Sequence, residues 1–230
     1  MKSLIAGTSL ETAVRAVLGK LRRQAGRKAR KDFTSSGAYW DERYRRGGNS
    51  GAGSYGRLAE FKAEVLNAFV ARHGIASVIE FGSGDGNQLT LASYPSYVGV
   101  DVSETAVRAC KELFARDPAK SFVTLAGYDG QRAELSLSLD VIYHLVEDAA
   151  YEAYMVTLFD ASERFVIVYA SNKEEQANGR HVRHRKFTDW VTENRPDFRM
   201  IEHIPNPFPF DPKDRKNSSF ADFYVFERDQ

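Results

Sequence analysis

A single cysteine, Cys110, is all the thiol this 230-residue chain has, so no internal disulfide can form and a reducing compartment is expected. Long apolar runs are missing too. The longest stretch without a charged residue, Gly86 to Val100, is interrupted by Asn87, Gln88, Pro95 and Ser96 and falls short of the ~18 apolar residues a membrane span needs. The N-terminus carries no signal-peptide cleavage pattern, and the expected location is the cytoplasm. Net charge is nearly absent at +1, and only 7 prolines occur. What is abundant is core material: 43% hydrophobic and 12% aromatic residues against 27% charged is a globular balance that excludes disorder for the bulk of the chain. With one domain per ~150 residues as a prior, one domain is the simpler reading.

The small net charge hides an asymmetry. Lys2, Arg15, Lys20, Arg22, Arg23, Arg27, Lys28, Arg30 and Lys31 stand against Glu11 alone, so residues 1–31 hold +8 and the remainder −7 of a total of +1. Leu10, Val14, Val17, Leu18 and Leu21 recur at helical spacing behind Ser9, which predicts an amphipathic helix with a basic C-terminal half. Residues 1–36 are read as a basic amphipathic extension. A helix of this kind suits an anionic membrane, here a peripheral contact of residues 9–31 at the inner membrane surface, or nucleic acid, or a protein partner. A solvated extension is the plain alternative.

Next come the aromatic segment Tyr39-Trp40-Asp41-Glu42-Arg43-Tyr44 and a glycine-rich stretch from Gly47 to Gly56, too costly in chain entropy for an element interior and read as a linker or a lid. From Arg57 to His73 the residues Leu58, Phe61, Val65, Leu66, Phe69 and Val70 keep the 3.6 period, and Gly74 ends the helix. Short apolar runs then alternate with helical patterns. Strands are predicted over Ala76–Phe81, Tyr97–Asp101, Phe122–Ala126, Leu137–Leu145 and Arg164–Ala170, with helices over Thr105–Ala115, Ala149–Phe159 and Lys186–Asn194. This rhythm predicts βαβ units, a mostly parallel sheet and helices on both faces. Arg199–Ile204 and Phe220–Glu227 are separated only by a loop carrying Pro205, Pro207, Pro209 and Pro212, so they should pair antiparallel at one sheet edge. No internal repeat is present.

The stretch Val78-Ile79-Glu80-Phe81-Gly82-Ser83-Gly84-Asp85-Gly86-Asn87 carries most information. A buried strand runs into a glycine turn, which lets a ligand approach the backbone beside the start of a helix. The dinucleotide fingerprint G-x-G-x-x-G needs glycine where Asn87 stands. Glu80 argues further against a pyrophosphate, since a carboxylate at the strand tip would repel phosphates and attract a cationic ligand. A sulfonium with an ammonium suits that field. Asp101, at the tip of the next strand, can accept from both hydroxyls of a ribose, and Tyr128 with Asp129 at the third strand tip can cover an adenine and accept from its amino group.

Together, Glu80-Phe81-Gly82-Ser83-Gly84-Asp85-Gly86, Asp101 and the terminal hairpin resemble the class I S-adenosylmethionine-dependent methyltransferases, and more loosely the small bacterial methyltransferases of surface polysaccharide biosynthesis. The resemblance covers residues 37–230. It implies a Rossmann-like α/β fold with a seven-stranded, mostly parallel sheet and a C-terminal antiparallel hairpin, and S-adenosyl-L-methionine as cofactor. Glu80 would then lie by the methionine end, the turn of Gly82, Ser83 and Gly84 under the sugar and methionine, and Asp101 at the ribose, with Gln88 and Val102 as further cofactor-binding candidates. Trp40 and Arg43, in the segment from Tyr39 to Tyr44, resemble the N-terminal segment that closes over the cofactor in many members.

Methyl transfer from a sulfonium expels a neutral thioether, so alignment and exclusion of water do much of the work. A base is needed where the acceptor keeps its proton. His144, beyond the fourth strand, sits where an acceptor would meet the methyl group and is the candidate base; Asp148, a turn later, is expected to orient it, and a structural histidine is the alternative. His181-Val182-Arg183-His184-Arg185-Lys186 follows the fifth strand, and its cations would attract a phosphate, carboxylate or uronic acid. His181 and His184 with Asp140 or Asp148 show no tight ligand spacing, so no metal is expected. Phe208 and Phe210 would form an acceptor wall or a dimer contact. The expected activity is O-methylation of a small molecule or glycan. Nucleic acid is the second acceptor considered, disfavoured by the acidic body and by the lack of an (Asn/Asp)-Pro-Pro-(Tyr/Phe) signature. A cofactor-binding or membrane-tethered scaffold without chemistry is the third reading.

Overall fold

Strands that are apolar on both faces must be covered on both, and the amphipathic helices supply that cover. The computed structural model describes residues 33, 35–176 and 181–229, and its main compact unit spans Ser35–Gln230. The amphipathic helix expected on the basic extension lies outside the described residues. In chain order the elements are α1 (Ser36–Arg45), α2 (Gly56–His73), β1 (Val78–Phe81), β2 (Tyr97–Asp101), α3 (Glu104–Leu113), β3 (Lys120–Thr124), β4 (Ala133–Leu139), α4 (Asp148–Asp160), β5 (Ser162–Ala170), a short ribbon of β6 (Glu175–Gln176) and β7 (Arg183–His184), α5 (Phe187–Asn194), β8 (Phe198–Ile204) and β9 (Asp222–Arg228).

Seven strands form one sheet in the order β3-β2-β1-β4-β5-β9-β8. Strands β1 to β5 are parallel, and β9 runs antiparallel between β5 and β8, as a proline-marked connection without a helix requires. All four residues of β1 are buried. Val78 joins the core under α2 and α3 with Leu66, Phe69 and Val107. Ile79 and Phe81 join the opposite core with Met155 and Leu158 of α4 and Phe187 of α5. Each such side chain contributes about 1.5–3 kcal/mol by leaving water, and a one-residue slip would exchange the two faces.

Local signals set the ends. Ser35 and Ser103 cap α1 and α3 by accepting from the amides of Ala38 and Ala106, and Gly74 closes α2 at φ 62°. Two expectations are corrected. Strand β4 stops at Leu139 rather than Leu145: Asp140 turns to φ 62°, and Ile142–His144 form one 3-10 turn whose Ile142 and Tyr143 are buried, so the apolar run packs as a turn. After the glycine bend no full helix forms, only the 3-10 turn Gln88–Leu91, after which Ala92 is already extended.

Candidate active site

The carboxyl ends of the parallel strands gather on one edge, and the strand order reverses between β1 and β4, where an open α/β sheet leaves a crevice. β1 delivers the bend. Gly82, Gly84 and Gly86 have φ of 87°, 60° and 78°, a region side chains with a Cβ disfavour. The bend is also tightly covered: a Cβ on Gly82 would lie 2.4 Å from Val141 Cγ2, and one on Gly84 2.3 Å from Ser50 Oγ. Asp101 ties the bend to β2 by accepting from the amides of Gly84 and Ser103, each at 2.9 Å. Burial pushes its carboxyl up while those amides oppose the shift.

Glu80 does not stand at the mouth of the crevice as a cation-attracting charge. Side chains alternate along β1, which sends Glu80 to the α2 face, where it accepts from the hydroxyl of Tyr97 at 2.7 Å. Burial there pushes its carboxyl up to about 7, against the hydrogen bond from Tyr97 and the nearby Lys62 ammonium. Glu80 therefore ties β1 to β2 on the α2 face.

Helix α1 lies across the strand ends. At one end Ser36 donates to Glu147 from its amide at 2.9 Å and from its hydroxyl at 2.6 Å. Further along, Asp41 accepts from Ser103 Oγ at 2.7 Å, Gly37 meets Val102, and Tyr44 pairs with Ser50 at 3.0 Å. The expected flexible stretch after it is pinned to the bend: the amide of Ser50 and the hydroxyl of Tyr55 both donate to Asp85 Oδ2 at 2.8 Å, and Asn87 donates to Ser54 O at 2.6 Å. Arg43 donates to Asn49 O with its guanidinium 5.4 Å from the Trp40 ring centre. Trp40 in turn meets His144 edge-on at 4.8 Å.

His144 Nδ1 lies 3.0 Å from the carbonyl oxygen of His181. A carbonyl only accepts, so Nδ1 carries the proton and Nε2 keeps its lone pair. Burial pushes the imidazole down to about 4. The His181 ring stacks on Tyr39 at 4.8 Å, and burial with Arg43 holds it below the usual histidine range. Asp148 does not orient His144. As the first residue of α4 it points outward and accepts from Arg183 at 2.7 Å and Arg185 at 3.0 Å, which hold its carboxyl low.

The same pairs correct the reading of the basic loop. Arg185 also donates to the carbonyls of Leu145 and Val146 and covers the Tyr151 ring at 4.3 Å, so these cations clamp the His144 turn and are already engaged. His184 is buried, bonded through Nδ1 to Ser171 Oγ at 2.6 Å and packed edge-on against Phe220 at 4.6 Å. Tyr128 meets Phe81 edge-on at 5.3 Å and donates to Gln131 O, while Asp129 accepts from the Gln131 amide at 3.2 Å. Gln88 donates to Ala59 O at 3.0 Å. Phe208 packs between Phe61 and Arg57, and Phe210 is half exposed beside Phe220. Among the described residues no three side chains gather as metal ligands.

One ion pair, with its lysine fully buried, was missed. Lys62 Nζ donates to Asp140 Oδ2 at 2.7 Å, and Asp140 Oδ1 accepts from Tyr143 at 2.8 Å. Its signal was present: Lys62 interrupts the apolar row that runs through Leu58 and Leu66 at the i+4 spacing of α2.

No protein-family model matches the sequence, and no curated protein does. Solved structures do match. Magnesium protoporphyrin IX methyltransferase from Synechocystis PCC 6803, with bound S-adenosylhomocysteine, aligns over 88% of this chain and 100% of its own with a TM-score of 0.60 at 18% identity. The N-methyltransferase NodS from Bradyrhizobium japonicum WM9, in complex with S-adenosylhomocysteine, aligns over 75% and 88% with 0.58 at 14%. The methyltransferase domain of bacterial CtHen1 aligns over 74% and 97% with 0.57 at 22%. No helix among the described residues is long and apolar enough to cross a membrane. In sheet order, antiparallel penultimate strand and crevice, the chain has the Rossmann-like fold of the class I S-adenosylmethionine-dependent methyltransferases.

Proposed function

We propose that this crevice binds S-adenosylmethionine and that the chain is a methyltransferase whose acceptor hydroxyl, on a small molecule or glycan, yields its proton to His144. The observation that carries the reading is the bend of three left-handed glycines tied to Asp101, beneath a helix that brings Trp40 to His144. The residues fit the cofactor. Ser83 Oγ and Gln88 Oε1 are buried at the bend with no hydrogen-bond partner, acceptors suited to an ammonium group. Each oxygen of Asp101 accepts one backbone amide and keeps a further lone pair for a ribose hydroxyl. Trp40, Arg43, Val102, Tyr128 and Asp129 are the further cofactor contacts this reading proposes.

Bound there, the cofactor supplies an electrophilic methyl group on a sulfonium that departs as a neutral thioether. The chain's own part is alignment, exclusion of water and removal of a proton. Helix α1, bonded to the loops after β2 and β4, shields the crevice. His144 presents an unprotonated Nε2 at neutral pH because its Nδ1–H is held by His181 and burial opposes its charge. An acidic acceptor loses its support, since Arg183 and Arg185 are paired with Asp148.

Calorimetry with S-adenosylhomocysteine tests this. The wild type binds, Asp101→Ala weakens binding by about tenfold or more, and His144→Ala leaves affinity within about threefold. With labelled cofactor and a panel of hydroxylated acceptors, His144→Ala slows transfer by about a hundredfold or more. Binding of NADH in place of S-adenosylhomocysteine would remove the cofactor assignment.

A further inference from the structure

Lys62 is completely buried. An ammonium in an apolar helix row needs a partner, and Asp140, 2.7 Å away, supplies it. Among the described residues Asp140 is the one non-glycine at positive φ, 62°, a conformation that persists where its surroundings hold it. Its amide donates to Tyr169 O at 2.9 Å, Oδ2 accepts from Lys62, and Oδ1 accepts from Tyr143 at 2.8 Å. From this turned residue the chain serves both sides of the crevice. Val141 packs on Gly82 of the bend, while Tyr143 and His144 follow in the next turn, their rings 4.6 Å apart. The strap over the bend reaches the same carboxylate, for a Cβ on Gly53 would lie 2.7 Å from Asp140 Oδ2.

We propose that Lys62 is a positioning residue: by holding Asp140 in its turned conformation it sets, through one carboxylate, Val141 against the glycine bend and Tyr143 with His144 on the acceptor side. The proposal deepens the reading of this crevice as a methyl-transfer site and rests on it for the role of His144. A pair that only stabilises the fold would change the melting temperature alone. A positioning pair changes the His144 environment and the affinity of the bend together.

Two variants separate these cases. Lys62→Met occupies similar space without charge, and Tyr143→Phe keeps ring and ion pair but removes the link to the turn. The readouts are the NMR titration of the His144 ring and calorimetry with S-adenosylhomocysteine, both on the full chain. His144 is faced by Trp40, Tyr143, His181, Arg43 and Asp140. When the turn loosens, the imidazole regains water and its midpoint rises. Lys62→Met should raise that midpoint by about one unit or more and weaken binding about tenfold. Tyr143→Phe should raise the midpoint by less and leave affinity within about threefold. A folded Lys62→Met with wild-type titration and affinity overturns the proposal. Should Lys62→Met not fold, an unmoved midpoint in Tyr143→Phe overturns it, and a raised one supports it. Failure of the wild type to bind S-adenosylhomocysteine sinks the cofactor reading, and the titration still decides the coupling.

Discussion

The two sides of the crevice are built by opposite means. The glycine bend is tied to the neighbouring strand by partners near in the chain, with Asp101 bonding Gly84 across 17 residues and Tyr97 bonding Glu80 across 17, and is strapped by Ser50 and Tyr55 on Asp85 across 35 and 30. The turn from Asp140 to Asp148 is held from far away. Lys62 reaches Asp140 across 78 residues, Ser36 reaches Glu147 across 111, and Arg185 reaches Leu145 across 40. A strand, a bend and the next strand tip form a local pattern whose chemistry stays with the residues that carry it. A turn clamped by distant side chains takes its roles from partners that its own sequence does not name.

The largest effect is expected where the two sides touch. Gly82→Ala forces a Cβ to 2.4 Å from Val141 Cγ2 at φ 87°, adding overpacking to backbone strain at a total of about 2–5 kcal/mol. Urea unfolding measures the loss. Adding Val141→Ala to Gly82→Ala should return the steric part and leave about 1–2 kcal/mol from the left-handed backbone. A double variant no more stable than the single one would mean that the bend is strained by itself and that the turn at Val141 does not press on it.

Much of the fold was legible because strand and helix periods are set by which faces leave water. The run Arg164–Ala170 predicted most of β5, the periodic run from Leu58 to Val70 predicted α2, and the proline-marked loop predicted the β8–β9 hairpin. The strand beyond Leu139 was misread because an apolar run is consistent with either a strand or a buried turn until Asp140 reverses the chain. In the candidate site, Gly82, Gly84 and Asp101 were singled out from the sequence, and the structure brings them together in one bend. Glu80 was found but faced wrongly, because strand alternation decides its side and Tyr97 receives it there. Asp148 was assigned to His144 by proximity in sequence, whereas two guanidiniums nearly forty residues on hold it.

Glu80 and His144 give the comparison a pH signature, because burial shifts them in opposite directions. Glu80 rises from 4.5 to about 7 on folding. Its contribution is full below pH 4.5 and is lost as pH climbs through 7. His144 falls from 6.5 to about 4, so its contribution is full above 6.5 and is lost as pH drops through 4. Between those limits the two slopes oppose each other. Glu80→Gln removes one of them, and its stability relative to the wild type should grow by on the order of 3 kcal/mol between pH 4.5 and 7. Urea unfolding across that range checks it; a constant difference would mean that Glu80 is ionised in the fold throughout.

The smallest effects divide the clamp on the His144 turn itself. Asp148 is mostly exposed, with 71% of its side chain in solvent, and exposed ion pairs contribute little against side-chain entropy and screening. Asp148→Asn should therefore leave the melting temperature within about 2 °C and the His144 titration unmoved. Arg185 has 10% of its side chain exposed and satisfies two carbonyls of the turn. Arg185→Ala strands both carbonyls, removes the cover over Tyr151, and should cost about 1–3 kcal/mol while raising the His144 midpoint. The outcome reversed, with Asp148→Asn moving His144 and Arg185→Ala leaving it alone, would restore the carboxylate as the group that orients His144. It would also mean that the His144 turn is held by a near neighbour after all, as Asp101 holds Gly84.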